Sequence, residues 1–242
     1  MIVLLAAAIA AQSAPPAPSA PAPCVEARGV ETFTCRAVAA ANAGRFAEAA
    51  AAFEDAAATS LAVSATVGDA RSDRLLAAAG NMWIAANQPG KAALALDRAL
   101  AGGGLQGPQR GEALLDRARA AEAQNDLKTA RAKAREAEAT IGEDPFLWYF
   151  LAALAIREGD PAQATTAIGR ALALAPDDPT ILFEAGHVAQ VAGEEAKARA
   201  YWSQANRYDS NGPIGKAARE ALLLLTPVPA DGDAGPPEKP TQ

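Results

Sequence analysis

Apolar and polar positions along this chain recur at the interval of a helical hairpin. Asp144-Pro145 opens one stretch and Asp178-Pro179 opens the next, 34 residues later. Fourteen residues into each comes a glycine, Gly159 and Gly193, and five residues further an alanine, Ala164 and Ala198. That period is characteristic of paired antiparallel helices stacked in a row, and it predicts an all-α chain. Asp-Pro is a helix-opening device, since the carboxylate caps free N–H groups and proline is tolerated at the first helical position.

Counting from Pro145 as position 1, the large and small residues fall at fixed places. Trp148 stands at position 4, Ala152 at 8, Gly159 at 15, Ala164 at 20, Ile168 at 24, Ala171 at 27 and Pro176 at 32. The unit from Pro179 gives Leu182, Gly186, Gly193, Ala198, Trp202, Ala205 and Ser210 at the same positions. Three earlier units are looser. One from about Val30 gives Phe33, Ala37, Gly44, Ala49, Phe53 and Ala56; one from about Asp73 gives Leu76, Gly80, Asn87, Ala92, Leu96, Ala99 and Gly104; one from about Gly111 gives Leu114, Ala118, Asn125, Ala130 and Ala137. The long first spacing predicts an insertion around Thr59 to Ser72, with a loop at Gly68-Asp69.

This pattern resembles the tetratricopeptide repeat family. The resemblance implies a right-handed superhelical solenoid of five hairpins near 30–63, 73–106, 111–144, 145–178 and 179–212. Small residues at 8, 20 and 27 stand where two helices cross, so a larger side chain there overpacks by roughly 1–3 kcal/mol. Glycine or asparagine at 15 permits a left-handed turn between the helices. A solenoid needs its last apolar face covered, and residues 213–225 (PIGKAAREALLLL) are expected to form that capping helix, the alternative being a partner-binding or membrane-surface helix. Four consecutive leucines exceed one helical face, so part of that run is expected to stay exposed.

Half of the residues are hydrophobic, most of them alanine, with 5% aromatic. Alanine has the best helix propensity and lets helix axes approach, so the core is expected to be thin and helical. The first 25 residues carry no charged side chain, and Ile2 to Ala11 is an apolar run too short to span a bilayer. Residues 1–13 therefore read as a signal peptide, 14–29 as a Pro/Ala-rich linker and 226–242 as a disordered tail. The expected location is periplasmic or secreted. Cys24 and Cys35 are the only cysteines, and an even pair in an oxidising compartment predicts a disulfide worth roughly 3 kcal/mol.

The net charge of −6, with basic residues interleaved among acids, disfavours nucleic-acid binding and adhesion to an anionic membrane. Catalytic motifs are scarce. His187 is the only histidine, and Gly90-Lys91 and Gly215-Lys216 are each followed by alanine, so neither is a phosphate-binding loop. No Cys-x-x-Cys or His-x-x-x-His spacing exists for a metal. No cofactor, no metal and no enzymatic activity are expected.

The family register places His187 at a position that faces the concave groove, and with it Asn81, Arg119, Tyr149, Arg157, Phe183 and Gln190. Arginines suit carboxylates and aromatics suit anchoring, so this set is the expected partner-binding surface. Some family members grip a C-terminal carboxylate with lysines and asparagines. Asn81 has a suitable position for that, but Ala77 and Ala78 occupy the same face, so the clamp is not transferred. The reading that follows is a non-enzymatic protein- or peptide-binding scaffold of the cell envelope. Two alternatives stand beside it: a self-associating structural component, and a binder of small molecules or cell-wall fragments through Tyr149, Phe183 and Arg157.

Overall fold

Five of the described helices begin after an aspartate that caps their first N–H groups, and the first helix of each hairpin gives way to a glycine or asparagine turn. The computed structural model describes residue 24 and residues 29–64 and 69–225. The expected leader, the linker apart from Cys24 and Gly29, and the tail lie outside the described residues. Among the described residues there are eleven α-helices and no strand. The first six are α1 (Val30–Asn42), α2 (Phe46–Ser64), α3 (Ala70–Ala85), α4 (Pro89–Gly102), α5 (Gly107–Ala123) and α6 (Leu127–Ile141). There follow α7 (Pro145–Arg157), α8 (Pro161–Leu174), α9 (Pro179–Val191), α10 (Glu195–Tyr208) and α11 (Pro213–Leu223). They pack as five consecutive hairpins, α1/α2 to α9/α10, with α11 against the last.

The caps are chemical. Asp144 accepts the Phe146 N–H at 2.8 Å, and Asp178 accepts those of Thr180 and Ile181 at 2.8 and 3.0 Å. Asp160 and Asp126 do the same for Gln163 and Thr129, at 3.0 and 3.1 Å. Each satisfies donors that a helix start leaves unpaired. All five hairpin turns pass through a left-handed residue at position 15: Gly44, Asn87, Asn125, Gly159 and Gly193 have φ of 71°, 54°, 61°, 73° and 77°. Glycine and asparagine are the residues that adopt this conformation at least cost.

The helix crossings are as small as the spacing demands. Ala49, Ala92, Ala130, Ala164 and Ala198 at position 20 are fully buried, and so are Ala56, Ala99, Ala137, Ala171 and Ala205 at position 27. Larger side chains fill the spaces between. Trp202 is 1% exposed and donates Nε1–H to the Phe183 carbonyl at 3.0 Å. Trp148 donates to the Gly142 carbonyl at 2.7 Å, with the Arg170 guanidinium 4.1 Å above its ring.

In two units the first helix begins ahead of the register's first position, and in the earlier of them it follows Asp69, where the loop was expected. Asp73 does not open a helix: α3 starts at Ala70, capped by Asp69, which accepts the Arg71 and Ser72 N–H groups. Asp73 is instead 4% exposed and accepts the Gly104 N–H at 2.7 Å, holding the end of its own unit. Gly111 likewise lies within α5, which starts at Gly107. A β-carbon there would fall 2.4 Å from the Thr140 hydroxyl and 2.7 Å from Ile141, so this glycine serves a close helix contact. The first helices of these two units, 16 and 17 residues long, simply begin a turn earlier than the 13-residue α7 and α9.

Of the expected insertion around 59–72, residues 59–64 and 70–72 are helical, while residues 65–68, with the expected loop residue Gly68, lie outside the described residues. α2 continues for 19 residues to Ser64, because no glycine or proline interrupts its alanine-rich sequence. Ser60, near its end, donates to Asp69 at 2.7 Å and ties it to the start of α3.

The two ends of the array are held differently. A disulfide joins Cys24 to Cys35 on α1 across a Cα–Cα distance of 5.4 Å, and Cys24 is buried. At the other end Ala218 and Leu225 are buried in the cluster around Trp202 and Leu182, and Gly215 is buried against the Asp209 backbone, so α11 covers the last hairpin. Asp209 organises that junction by accepting the Ile214 and Gly215 N–H groups at 2.9 and 3.1 Å. Leu223 and Leu224 point away, 84% and 83% exposed.

Candidate binding groove

Small side chains at positions 5 and 6 decide where the groove is open. Units four and five carry Tyr149-Phe150 and Phe183-Glu184 there, whereas unit two carries Ala77-Ala78. A cavity of about 410 Å³ results, flanked by α1, α3 and α5. Val38 and Ala41 of α1, Phe53 of α2, and Ala77, Ala78 and Met82 of α3 form its apolar surface. Arg74 on α3 and Glu112 on α5 stand at its rim, both exposed. A second cavity of about 470 Å³, lined by Glu31, Thr34, Cys35, Asn42 and Arg71, adjoins it at Val38. Arg71 donates to Glu31 at 2.7 Å across that second space.

Asn81 lines the first cavity, and its amide donates to Asp116 at 2.8 Å. Arg119 donates to the other oxygen of Asp116 at 3.2 Å. One carboxylate thus holds two of the expected groove residues in place, spanning α3 and α5. Tyr149 is half-buried, and burial pushes its hydroxyl above the usual tyrosine range. Glu184 adds to that rise and Arg119 opposes it, so charges from units three and five both act on this phenol.

The other expected residues fall elsewhere. Arg157 donates to the Glu122 carboxylate and to Asn125 Oδ1, the latter at 3.0 Å, so it clamps unit four onto unit three. Phe183 and His187 stack edge to face with centroids 4.5 Å apart, and His187 lies 5.5 Å from the Trp202 ring. Nδ1 of His187 is 3.5 Å from the Glu184 carboxylate. Phe183 also packs into the terminal core, so this pair belongs partly to the structure of unit five. Gln190 is exposed beside a separate cavity of about 240 Å³, lined with Gly193, Glu195, Leu224 and Leu225. The structure therefore joins Asn81 and Arg119 through Asp116, and separates Arg157, the Phe183–His187 pair and Gln190.

Sequence reasoning passed over Val38, Ala41, Phe53, Arg74, Met82 and Glu112. A signal for them existed: in the repeat register Val38 shares position 9 with Asn81 and Arg119, and Arg74 and Glu112 share position 2. Ala77 and Ala78 bring no polar group to this face, but their small side chains leave room for the cavity.

Among the described residues no helix is long and apolar enough to cross a membrane, and no group of three or more His, Cys, Asp or Glu side chains is placed to hold a metal ion. A tetratricopeptide repeat family model matches residues 145–188. No curated protein sequence matches the chain. The fold is similar to that of BtubC from P. vanneervenii, with a TM-score of 0.63, 19% identity and coverage of 87% of this chain and 87% of that one. It is also similar to PilW, a type IV pilus biogenesis factor, with a TM-score of 0.63, 16% identity and coverage of 78% and 82%. A third is YrrB, a TPR protein with an unusual peptide-binding site, with a TM-score of 0.55, 15% identity and coverage of 78% and 91%. The chain thus folds as a solenoid of helical hairpins similar to those of these proteins, and residues 145–188 match the tetratricopeptide repeat family.

Proposed function

We propose that this protein is a non-enzymatic scaffold that binds a protein or peptide partner in the groove formed by the first helices of its repeats. The observation that carries this reading is the cavity of about 410 Å³ between α1, α3 and α5, which is apolar inside and charged at its rim. Its size lies within the roughly 300–1,000 Å³ range of ligand pockets. A groove built on packed helices orders little of itself on binding, so contacts convert more fully into affinity. The likeness of the fold to YrrB, whose structure is described by its peptide-binding site, supports the same use of the array.

The periplasm or cell exterior is the location this reading assigns. Supporting it are the uncharged first 25 residues, with their short apolar run, and the bridge between Cys24 and Cys35. Tyr149 and Arg119 extend the binding surface towards unit four.

The test is affinity capture from an envelope fraction with the full chain and with Ala78→Trp, which fills the cavity. Loss of the captured partner on filling supports the groove. Capture that is indifferent to the substitution overturns it.

A second reading has one observation in its favour. Leu223 and Leu224 are almost fully exposed at the end of the array, as a self-association surface requires. A mass that rises with concentration in light scattering, and stops rising in Leu223→Glu, supports that reading; a constant monomer mass overturns it.

A further inference from the structure

We infer that the occupant of the α1–α3–α5 cavity is an extended segment carrying an acidic residue, an apolar anchor and a basic residue, with the two charges about three residues apart. The inference rests on the groove reading above and names the chemistry of its ligand.

The charges at the rim carry the argument. Arg74 and Glu112 both line the cavity, are both exposed, and neither has an ion-pair partner among the described residues. The other charged groups facing this space are engaged, since Asp116 is held by Asn81 and Arg119. The open rim therefore offers one cation and one anion, on adjacent helices. Packed helix axes stand roughly 8–10 Å apart, and an extended chain advances about 3.3–3.6 Å per residue. A ligand that answers both charges spaces its own acid and base by about three residues.

Between those charges the cavity surface is apolar, formed by Val38, Phe53, Ala77 and Met82. It takes one or two apolar side chains from the segment between the charges. The Asn81 Oδ1 has no donor among the described residues, so it is placed to accept a ligand main-chain N–H. Complementary charges of this kind select partners and set register more than they add affinity.

The test uses the full chain and three fluorescein-labelled hexapeptides with a central leucine-alanine pair. The flanking residues are aspartate and lysine in the first, two aspartates in the second and two lysines in the third. Fluorescence anisotropy is expected to show the mixed-charge peptide binding at least ten-fold tighter than either other. Arg74→Glu is expected to move the preference to the two-lysine peptide, and Glu112→Lys to the two-aspartate peptide. Both positions are exposed, and circular dichroism checks that each variant keeps the fold. Replacing the central leucine by serine is expected to weaken binding at least ten-fold.

Equal binding of the three peptides, a preference that neither substitution moves, or no binding of any of them overturns this inference. In those cases the groove reading stands if Ala78→Trp still abolishes capture of a partner. It falls if Ala78→Trp leaves capture intact.

Discussion

A β-carbon on Gly186 would lie 2.1 Å from Nε1 of Trp202. These residues occupy positions 8 and 24 of the last hairpin, so the glycine on α9 is the space into which the indole on α10 fits. The same fit joins Gly80 and Leu96 in unit two, where the added carbon would stand 2.4 Å from the leucine side chain. Bulk at one position is thus matched by its absence at the other.

This pairing predicts coupled effects on stability. Gly186→Ala is expected to destabilise the fold by about 1–3 kcal/mol through overpacking, and Trp202→Ala by about 3–5 kcal/mol through an internal cavity. The double variant is expected to lose less than the sum, because removing the indole relieves the clash. Urea denaturation of the four proteins measures the coupling, and strict additivity would contradict the fit.

Asp73 is expected to matter more than an exposed carboxylate such as Glu112 on α5. It is buried and accepts the Gly104 N–H, with Gly102 packed so closely that a β-carbon there would meet its carboxylate at 2.0 Å. Asp73→Ala leaves that N–H without its acceptor, at a cost of about 1–3 kcal/mol. Gly102→Ala is expected to be destabilising as well. Thermal melts of both variants against Glu112→Ala, an exposed change expected to be near neutral, test the claim.

Acid is expected to weaken the array through its helix caps. The Ser60 hydroxyl holds Asp69 below the usual carboxylate range, the Thr129 side chain and backbone N–H hold Asp126 there, and the Gln163 backbone N–H holds Asp160 there. Between their native values and the unfolded value of about 3.9, the unfolded chain binds more protons. This contribution to stability is therefore present above about pH 4 and is lost as pH falls through the lower native values. Melting temperatures measured from about pH 6 down to about pH 2 are expected to fall, and to fall less steeply in Asp126→Asn and Asp160→Asn. A parallel fall in both variants would place the acid sensitivity elsewhere.

Reduction of the Cys24–Cys35 bridge is expected to loosen the first hairpin. The bonded residues are 11 apart in sequence, and a loop of this length corresponds to about 3 kcal/mol of stabilisation. Denaturation with and without reductant measures the difference. Hydrogen exchange is expected to localise it to α1 and α2, leaving α9 to α11 unchanged.

Much of this was legible in the linear order of residues, and the reason is local. Asp-Pro at 144 and 178, glycine or asparagine at position 15, and alanine at 20 and 27 act through backbone conformation and helix-crossing size, which depend on near neighbours. The parts played by Asp73 and Gly111, at the first register positions of units two and three, were not legible from their type. Their roles are set by Gly104 and by Thr140 and Ile141, roughly thirty residues away.

The candidate site was less legible for the same reason. Arg157 reads as a groove cation by register, yet its guanidinium is taken by Glu122 and Asn125 of the preceding unit. Ala77 and Ala78 read as the lack of a function, and stacking α1, α3 and α5 around them makes the cavity. The period of small and large side chains determined by itself that this chain forms hairpins and stacks them, because each such residue acts on the helix beside it. Which charges remain free and where the groove stays open were decided by the tertiary structure, since both depend on side chains meeting across units that the linear order keeps far apart.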